Sequence, residues 1–165
     1  MLIFTMNNFT IRTIAMPDIA DLTEIILETY AATPYATTFN KKPELMQLNL
    51  LLSTKVSLAN SNHIIDLVGL ENGVVVGECE AVLNENCVVI GIIIKSSCRK
   101  KGYGTMLLKA CIDLSKKLFN CKICAMISEK NIAGISFFKK NGFVVKNSSS
   151  KNGNSSEKVL EMTLS

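Results

Sequence analysis

Long apolar runs are missing from this chain: none reaches the roughly 18 consecutive residues that a membrane-spanning helix needs. The apolar start, MLIFTM, has no basic segment before it and is too short for a secretory signal. Histidine is nearly missing as well. His63 is the only imidazole, placed just before a strand-like run, where a surface role suits it better than catalysis. The six cysteines (Cys79, Cys87, Cys98, Cys111, Cys121 and Cys124) contain one C-x-x-C spacing, Cys121 to Cys124. It lies in an apolar strand-like run whose alternation points the two side chains apart, with no histidine near it in sequence. That argues against a metal or redox centre. Reduced cysteines acting as small apolar residues fit a cytoplasmic protein. A strong charge of one sign is also lacking. The net charge of +4 favours anionic ligands but falls short of a nucleic-acid-binding arm.

The balance of 48% hydrophobic and 19% charged residues is that of a globular chain. At this length folding buries roughly 70% of the unfolded surface, so one domain over residues 1–165 needs no staple. Residues 1–5 read as an N-terminal extension, because Met6 opens a natural start. Alternation over 8–14 predicts a strand. Pro17, with Ile19, Leu22, Ile25 and Ile26 at helical spacing, predicts a helix over 16–32. A loop with two prolines covers 33–43, and a very apolar helix covers 44–59.

The period then changes. Asn72-Gly73 between the apolar runs 64–71 and 74–83 predicts a tight hairpin. A turn at 84–86 leads into CVVIGIII, 87–94, apolar on both faces and therefore central in a sheet. Leu107, Leu108, Cys111, Leu114 and Leu118 form one face of a helix over 103–118, with Lys109, Asp113, Lys116 and Lys117 opposite. A strand at 122–127 and a helix over 131–142 follow, with Asn131 as N-cap and Gly142 as its stop. The chain closes with a strand at 143–145, a flexible polar loop over 146–158 and a last strand at 159–164. The order is βααβββαβαββ: an α/β chain with a mixed sheet, an antiparallel meander followed by a β-α-β crossover.

Between the central strand and the long helix lies KSSCRKKGYGTMLL, residues 95–108. Glycine permits a tight turn and close approach of the backbone to a ligand. The first amides of a helix lack internal partners, and the dipole favours an anion there. Arg99, Lys100 and Lys101 add positive charge, so the segment suits a pyrophosphate. A Walker loop needs G-x-x-x-x-G-K-[ST], which is not present. A Rossmann turn needs a third glycine where Leu107 stands.

The spacing Arg99-x-x-Gly102-x-Gly104 resembles the R/Q-x-x-G-x-G/A loop of the GNAT superfamily of N-acetyltransferases, which holds the acyl-CoA pyrophosphate. NIAGISFFKKNGF, 131–143, is similar to the family's N-x-x-A-x-x-F-Y-x-x-x-G-F motif, and the element order agrees along nearly the whole chain. The resemblance implies a sheet splayed between the strands at 87–94 and 122–127, with acetyl-CoA in the opening. Ile92, Ile93 and Ile94 would face its pantetheine arm. Arg99, Lys100, Lys101, Gly102, Tyr103, Gly104 and Thr105 would hold the pyrophosphate, and Asn131 and Phe138 would also approach the cofactor.

The resemblance implies acetyl transfer to a primary amine, of a small molecule or a protein N-terminus. The mild charge and the lack of a spanning run predict neither nucleic-acid nor membrane binding, and the chain is expected as a monomer or homodimer. The proton chemistry departs from the family. Phe138 stands where the usual Tyr acid would, and Met126 where many relatives carry Glu or His. Glu78 and Glu80 are the remaining in-strand carboxylates and the candidate bases. They share a face that is either solvent or the cleft. A site without a strong base suits an α-amine better than a lysine side chain. At pH 7 roughly one α-amine in ten is neutral, against roughly one lysine ε-amine in 2,500. The competing reading is a catalytically weak acyl-CoA-binding sensor or interaction module.

Overall fold

The computed structural model describes residues 1–34, 41–59, 63–85, 87–150 and 158–165. The residues read as an N-terminal extension take part in the sheet. Leu2–Met6 forms an edge strand, β1, that turns through Asn7 at φ 54° and pairs antiparallel with β2 (Phe9–Thr13). Ile3 packs against the core, and the pairing satisfies backbone groups that β2 would otherwise leave open. The order is therefore ββααβββαβαββ.

Both terminal nitrogens of Arg12 donate to Asp18 at 2.7 Å, and the Ala15 N–H donates to the same carboxylate at 2.7 Å. This knot holds a single 3-10 turn at Met16–Asp18, so α1 begins at Ile19 and runs to Ala32. The second helix, α2, spans Leu45–Leu58.

The predicted hairpin forms as β3 (Ile64–Glu71) and β4 (Val74–Asn84), with Asn72 and Gly73 at φ 52° and 82°. Then come β5 (Cys87–Ile94), α3 (Tyr103–Leu118), β6 (Lys122–Ser128), α4 (Ile132–Lys140), β7 (Phe143–Ser150) and β8 (Lys158–Leu164). The eight strands form one sheet in the order β1-β2-β3-β4-β5-β6-β8-β7, antiparallel except for β5 with β6.

The polar loop expected from residue 146 is a second correction. β7 continues to Ser150 because its backbone pairs with β8 through a register shift between Val145 and Asn147. At a sheet edge the Ser and Asn side chains can face water while the main chain stays paired. The remainder of that loop, 151–157, lies outside the described residues, as do parts of the loop expected over 33–43 and of the turn at 84–86.

Two apolar layers flank the sheet. On one face Leu22, Ile25 and Ile26 of α1 and Leu48 and Leu52 of α2 pack against Val68, Leu70 and Val75. On the other, α3 buries Leu107, Leu108 and Cys111 against the sheet, with Phe138 and Phe143 in the same cluster. Among the described residues no helix is long and apolar enough to cross a membrane.

Candidate active site

The site begins where a ladder stops. β5 pairs with β4 along its whole length, from Gly77↔Ile94 to Asn84↔Cys87. With β6 it pairs only over Cys87–Val89, against Lys122–Cys124. Beyond Val89 the two parallel strands diverge, leaving a main-chain edge of β5 open toward β6. Although wholly apolar, Ile92, Ile93 and Ile94 are only half-buried, because they line this opening.

The chain leaves β5 through a 3-10 turn at Ser96–Cys98, and Arg99 Nε donates back to the Ile94 carbonyl at 3.2 Å. Lys100 takes φ 64° and Gly102 takes φ 86° as the N-cap of α3. The first helical bond runs from Met106 N–H to the Gly102 carbonyl at 3.1 Å, so the amides of Tyr103, Gly104 and Thr105 precede the internal ladder. A Cβ on Gly104 would lie 3.4 Å from both Ile94 Cγ1 and Phe137 Cε2. At Gly104 the end of β5, the mouth of α3 and the side of α4 meet.

Not every residue of the predicted loop turns its side chain to this mouth. Lys101 Nζ lies 3.1 and 3.0 Å from the two Glu71 carboxylate oxygens. The Tyr103 hydroxyl donates to Glu71, and its ring stacks on Phe9 at 4.3 Å. Tyr103, then Lys101, hold the Glu71 carboxyl below its ordinary value. Glu71 thus ties Lys101 and Tyr103 to the end of β3, while Arg99 and Lys100 are exposed. Glu71 carries no motif. Only the return of α3 beside the β3 end brings the partners together.

Asn131 caps α4 as predicted. Its Oδ1 accepts the Gly134 N–H at 2.9 Å, and a Cβ at Gly134 would meet Asn131 Nδ2 at 2.6 Å. Phe138 is buried, edge-on to Phe143 at 4.9 Å and to Phe137 at 5.5 Å. Met126 is 50% exposed and pairs with Glu161 of β8, so the two share a face. Glu161 is a carboxylate the sequence did not single out, and it accepts from Asn147 Nδ2 at 3.0 Å. His63 is exposed, just before β3.

The two candidate bases are on the face covered by α1 and α2. Lys55 of α2 puts Nζ 2.8 Å from Glu78 Oε1 and 2.8 Å from Glu80 Oε2. Glu78 is buried, whereas the Glu80 side chain is 29% exposed. Glu80 Oε1 lies 3.4 Å from where a Cβ on Gly91 would stand. Gly91 lies just beyond Val89, the last β5 residue paired with β6.

Behind them, on β3, Asp66 is 1% exposed and neither of its oxygens meets a donor. The three carboxylates lie within 4.8 Å of one another, close enough to hold a cation, and the Lys55 ammonium already bonds two of them. Burial, then the Glu78 charge, push the Asp66 carboxyl up to about 9 against the pull of Lys55. Burial alone would lower the Lys55 ammonium, but Glu78, Glu80 and Asp66 outweigh it and raise it.

Folding therefore favours neutral Asp66. Its contribution to stability is complete below the free carboxyl's 3.8 and declines as pH rises toward about 9. Urea denaturation of the wild type is expected to show stability falling from pH 5 to pH 9, and Asp66→Asn is expected to flatten that slope. An equal slope in both proteins would refute the assignment.

A mixed sheet that splays beside its central strand, with a glycine-bearing loop opening the crossover helix, defines the acyl-CoA N-acyltransferase class of fold. Residues 21–143 match the acetyltransferase (GNAT) family, and the chain belongs to it. The yncA protein of Salmonella typhimurium, solved with its cofactor acetyl-CoA, is similar at 24% identity and TM-score 0.78, over 96% of this chain and 94% of that one. An acetyltransferase of the same organism that modifies the N-terminal serine of ribosomal protein L7/L12 superposes at TM-score 0.82 and 11% identity, over 99% and 97% of the two chains. The PaiA N-acetyltransferase of Thermoplasma acidophilum, in complex with coenzyme A, does so at TM-score 0.71 and 21% identity, over 94% and 98%. No curated protein matches the chain by sequence.

Proposed function

We propose that this protein transfers an acetyl group from acetyl-CoA to a primary amine, of a small molecule or a protein N-terminus, with Glu80 as the general base. The observation that carries the reading is Glu80 Oε1 above Gly91, at the head of the opening between β5 and β6.

The residues present fit the cofactor. The main-chain edge of β5 beyond Val89, open at Ile92 and with its Ile94 carbonyl held by Arg99, suits an amide-bearing arm. The unpaired amides of Tyr103, Gly104 and Thr105, with Arg99 and Lys100, suit a pyrophosphate. The absence of a side chain at Gly104 keeps the junction with Ile94 and Phe137 clear. When bound, acetyl-CoA supplies an activated acetyl thioester.

The chain's own part is to hold and deprotonate the acceptor. Lys55 engages Glu80 Oε2 and leaves Oε1 toward the cleft to take the ammonium proton. Glu78 is buried against Lys55 and Asp66, which makes it the weaker candidate. Phe138 offers no proton to a leaving thiolate. The thiol's reference pKa of about 8.5 makes that thiolate a fair leaving group with water as the donor. An acceptor of low pKa, such as an α-amine, asks least of a single carboxylate. The N-terminal serine modified by the L7/L12 enzyme of the same fold supports that choice.

Phe138 also favours the second reading, a catalytically weak acyl-CoA-binding module, because its ring is packed as core. Isothermal titration with acetyl-CoA, ATP and NAD, then CoA release across an amine panel, separates the two. Binding of acetyl-CoA alone, with faster CoA release on α-amines than on lysine ε-amines, is expected. Tight binding with no amine-dependent release would establish the module instead.

A further inference from the structure

Lys55 is placed for a role that no sequence motif assigns to it. It comes from α2, across the apolar layer from the sheet, and spans two carboxylates of β4 with one ammonium, at 2.8 Å to each. Its side chain is only 16% exposed. A buried ammonium between carboxylates is held in place, since losing either partner would leave an uncompensated charge away from water. Asp66 closes the cluster from β3, opposite Glu80 in the register, buried and aimed at the same carboxylates without a donor of its own.

We infer that Lys55 is a positioning residue that clamps Glu80 by one oxygen and aims the other at the acceptor amine. The clamp works by division of labour within the pair. Glu78 is almost fully buried and shares the ammonium. Glu80 is partly exposed, gives Oε2 to the ammonium and keeps Oε1 over Gly91, where no side chain intervenes. Without the ammonium, two carboxylates on the same face of β4 and a third from β3 would repel one another, and Glu80 is the one free to swing out to water. A base displaced by about 1 Å can cost about 100-fold in rate. Asp66, held neutral by burial, is the member able to donate a hydrogen bond to Glu78.

The inference rests on the general-base reading above, and the test separates the two. Lys55→Met is expected to lower kcat on the acceptor amine about 100-fold while acetyl-CoA Kd by calorimetry stays within twofold. In a Glu80→Gln background the same substitution is expected to cost less than twofold more, because the clamp acts through Glu80. An undiminished loss in that background would show a merely structural lysine and overturn the inference. A wild type whose CoA release ignores the amine would overturn the base reading and the positioning role together.

Lys55→Met leaves Glu78 buried without its cation, so a measurement on the intact protein stands beside it. At neutral pH a 1H–15N correlation from one protected lysine ammonium is expected in the wild type, lost in Lys55→Arg and shifted in Glu80→Gln. Absence of any protected lysine ammonium would overturn the clamp whatever the activity.

Discussion

Glu80→Gln is expected to lower kcat/KM for the acceptor amine by about 10²–10⁴-fold, the usual worth of a positioned acid or base. The acetyl-CoA Kd is expected to stay within twofold. Glutamine keeps the size and a polar oxygen, so Lys55 retains a partner on β4 and the face stays packed. What is lost is a carboxylate oxygen over Gly91, where the β5–β6 ladder has already ended. The loss should shrink as pH rises toward the amine's own pKa, because more acceptor is then already neutral. Glu78→Gln is expected to cost far less, since that side chain is buried behind Lys55 and does not face the opening. Steady-state kinetics of the two variants on one α-amine, at several pH values, decide the matter. Equal losses in both variants would mean that the cluster is a structural unit and that the base lies elsewhere.

Gly104→Val is expected to weaken acetyl-CoA binding roughly 10- to 100-fold, the equivalent of about 1–3 kcal/mol of overpacking. The first added carbon alone would stand 3.4 Å from Ile94 Cγ1 and from Phe137 Cε2. Two further methyl groups must push the first turn of α3 away from β5 or displace the Phe137 ring. Either movement carries the Tyr103, Gly104 and Thr105 amides off the geometry that a pyrophosphate needs. The long amphipathic body of α3, with Leu107, Leu108 and Cys111 in the core, is untouched, so the fold should survive with a modest loss of melting temperature. Calorimetry with acetyl-CoA, alongside urea denaturation, reads the two effects apart. Unchanged affinity in a folded Gly104→Val protein would remove this loop from the cofactor site.

Several features could be read before any coordinates. The α3 boundaries fall where the spacing of Leu107, Leu108, Cys111, Leu114 and Leu118 places them, because an amphipathic stripe is a local signal. Asn72-Gly73 turns the β3–β4 hairpin because only its positive φ pair lets the strands meet in register. Asn131 caps α4 through a bond that closes within three residues. Each of these is decided by neighbours along the chain.

What was missed is decided by partners far away in it. Leu2–Met6 is a strand because β2 is there to pair with, and nothing within those five residues says so. The Ser- and Asn-rich end of β7 is extended because β8 supplies its hydrogen bonds, against a composition that argues for loop. Glu78 and Glu80 stand out as candidate bases from their place in a strand, but alternation puts both on one face without saying which face that is. Lys55 and Asp66 come from two other elements, and their meeting with β4 is a property of the packed layers.

Local periodicity suffices for the elements that rest on it, and the motifs around Gly102 and Asn131 suffice for the family. Where the loop side chains go is a matter of packing, since Glu71 draws Lys101 and Tyr103 to itself. Packing likewise separates the two carboxylates, burying Glu78 and leaving Glu80 29% exposed beside Gly91. Charge and hydrogen bonding act over a few ångströms of space, and only the folded chain brings residues 55, 66, 78 and 80 within that reach.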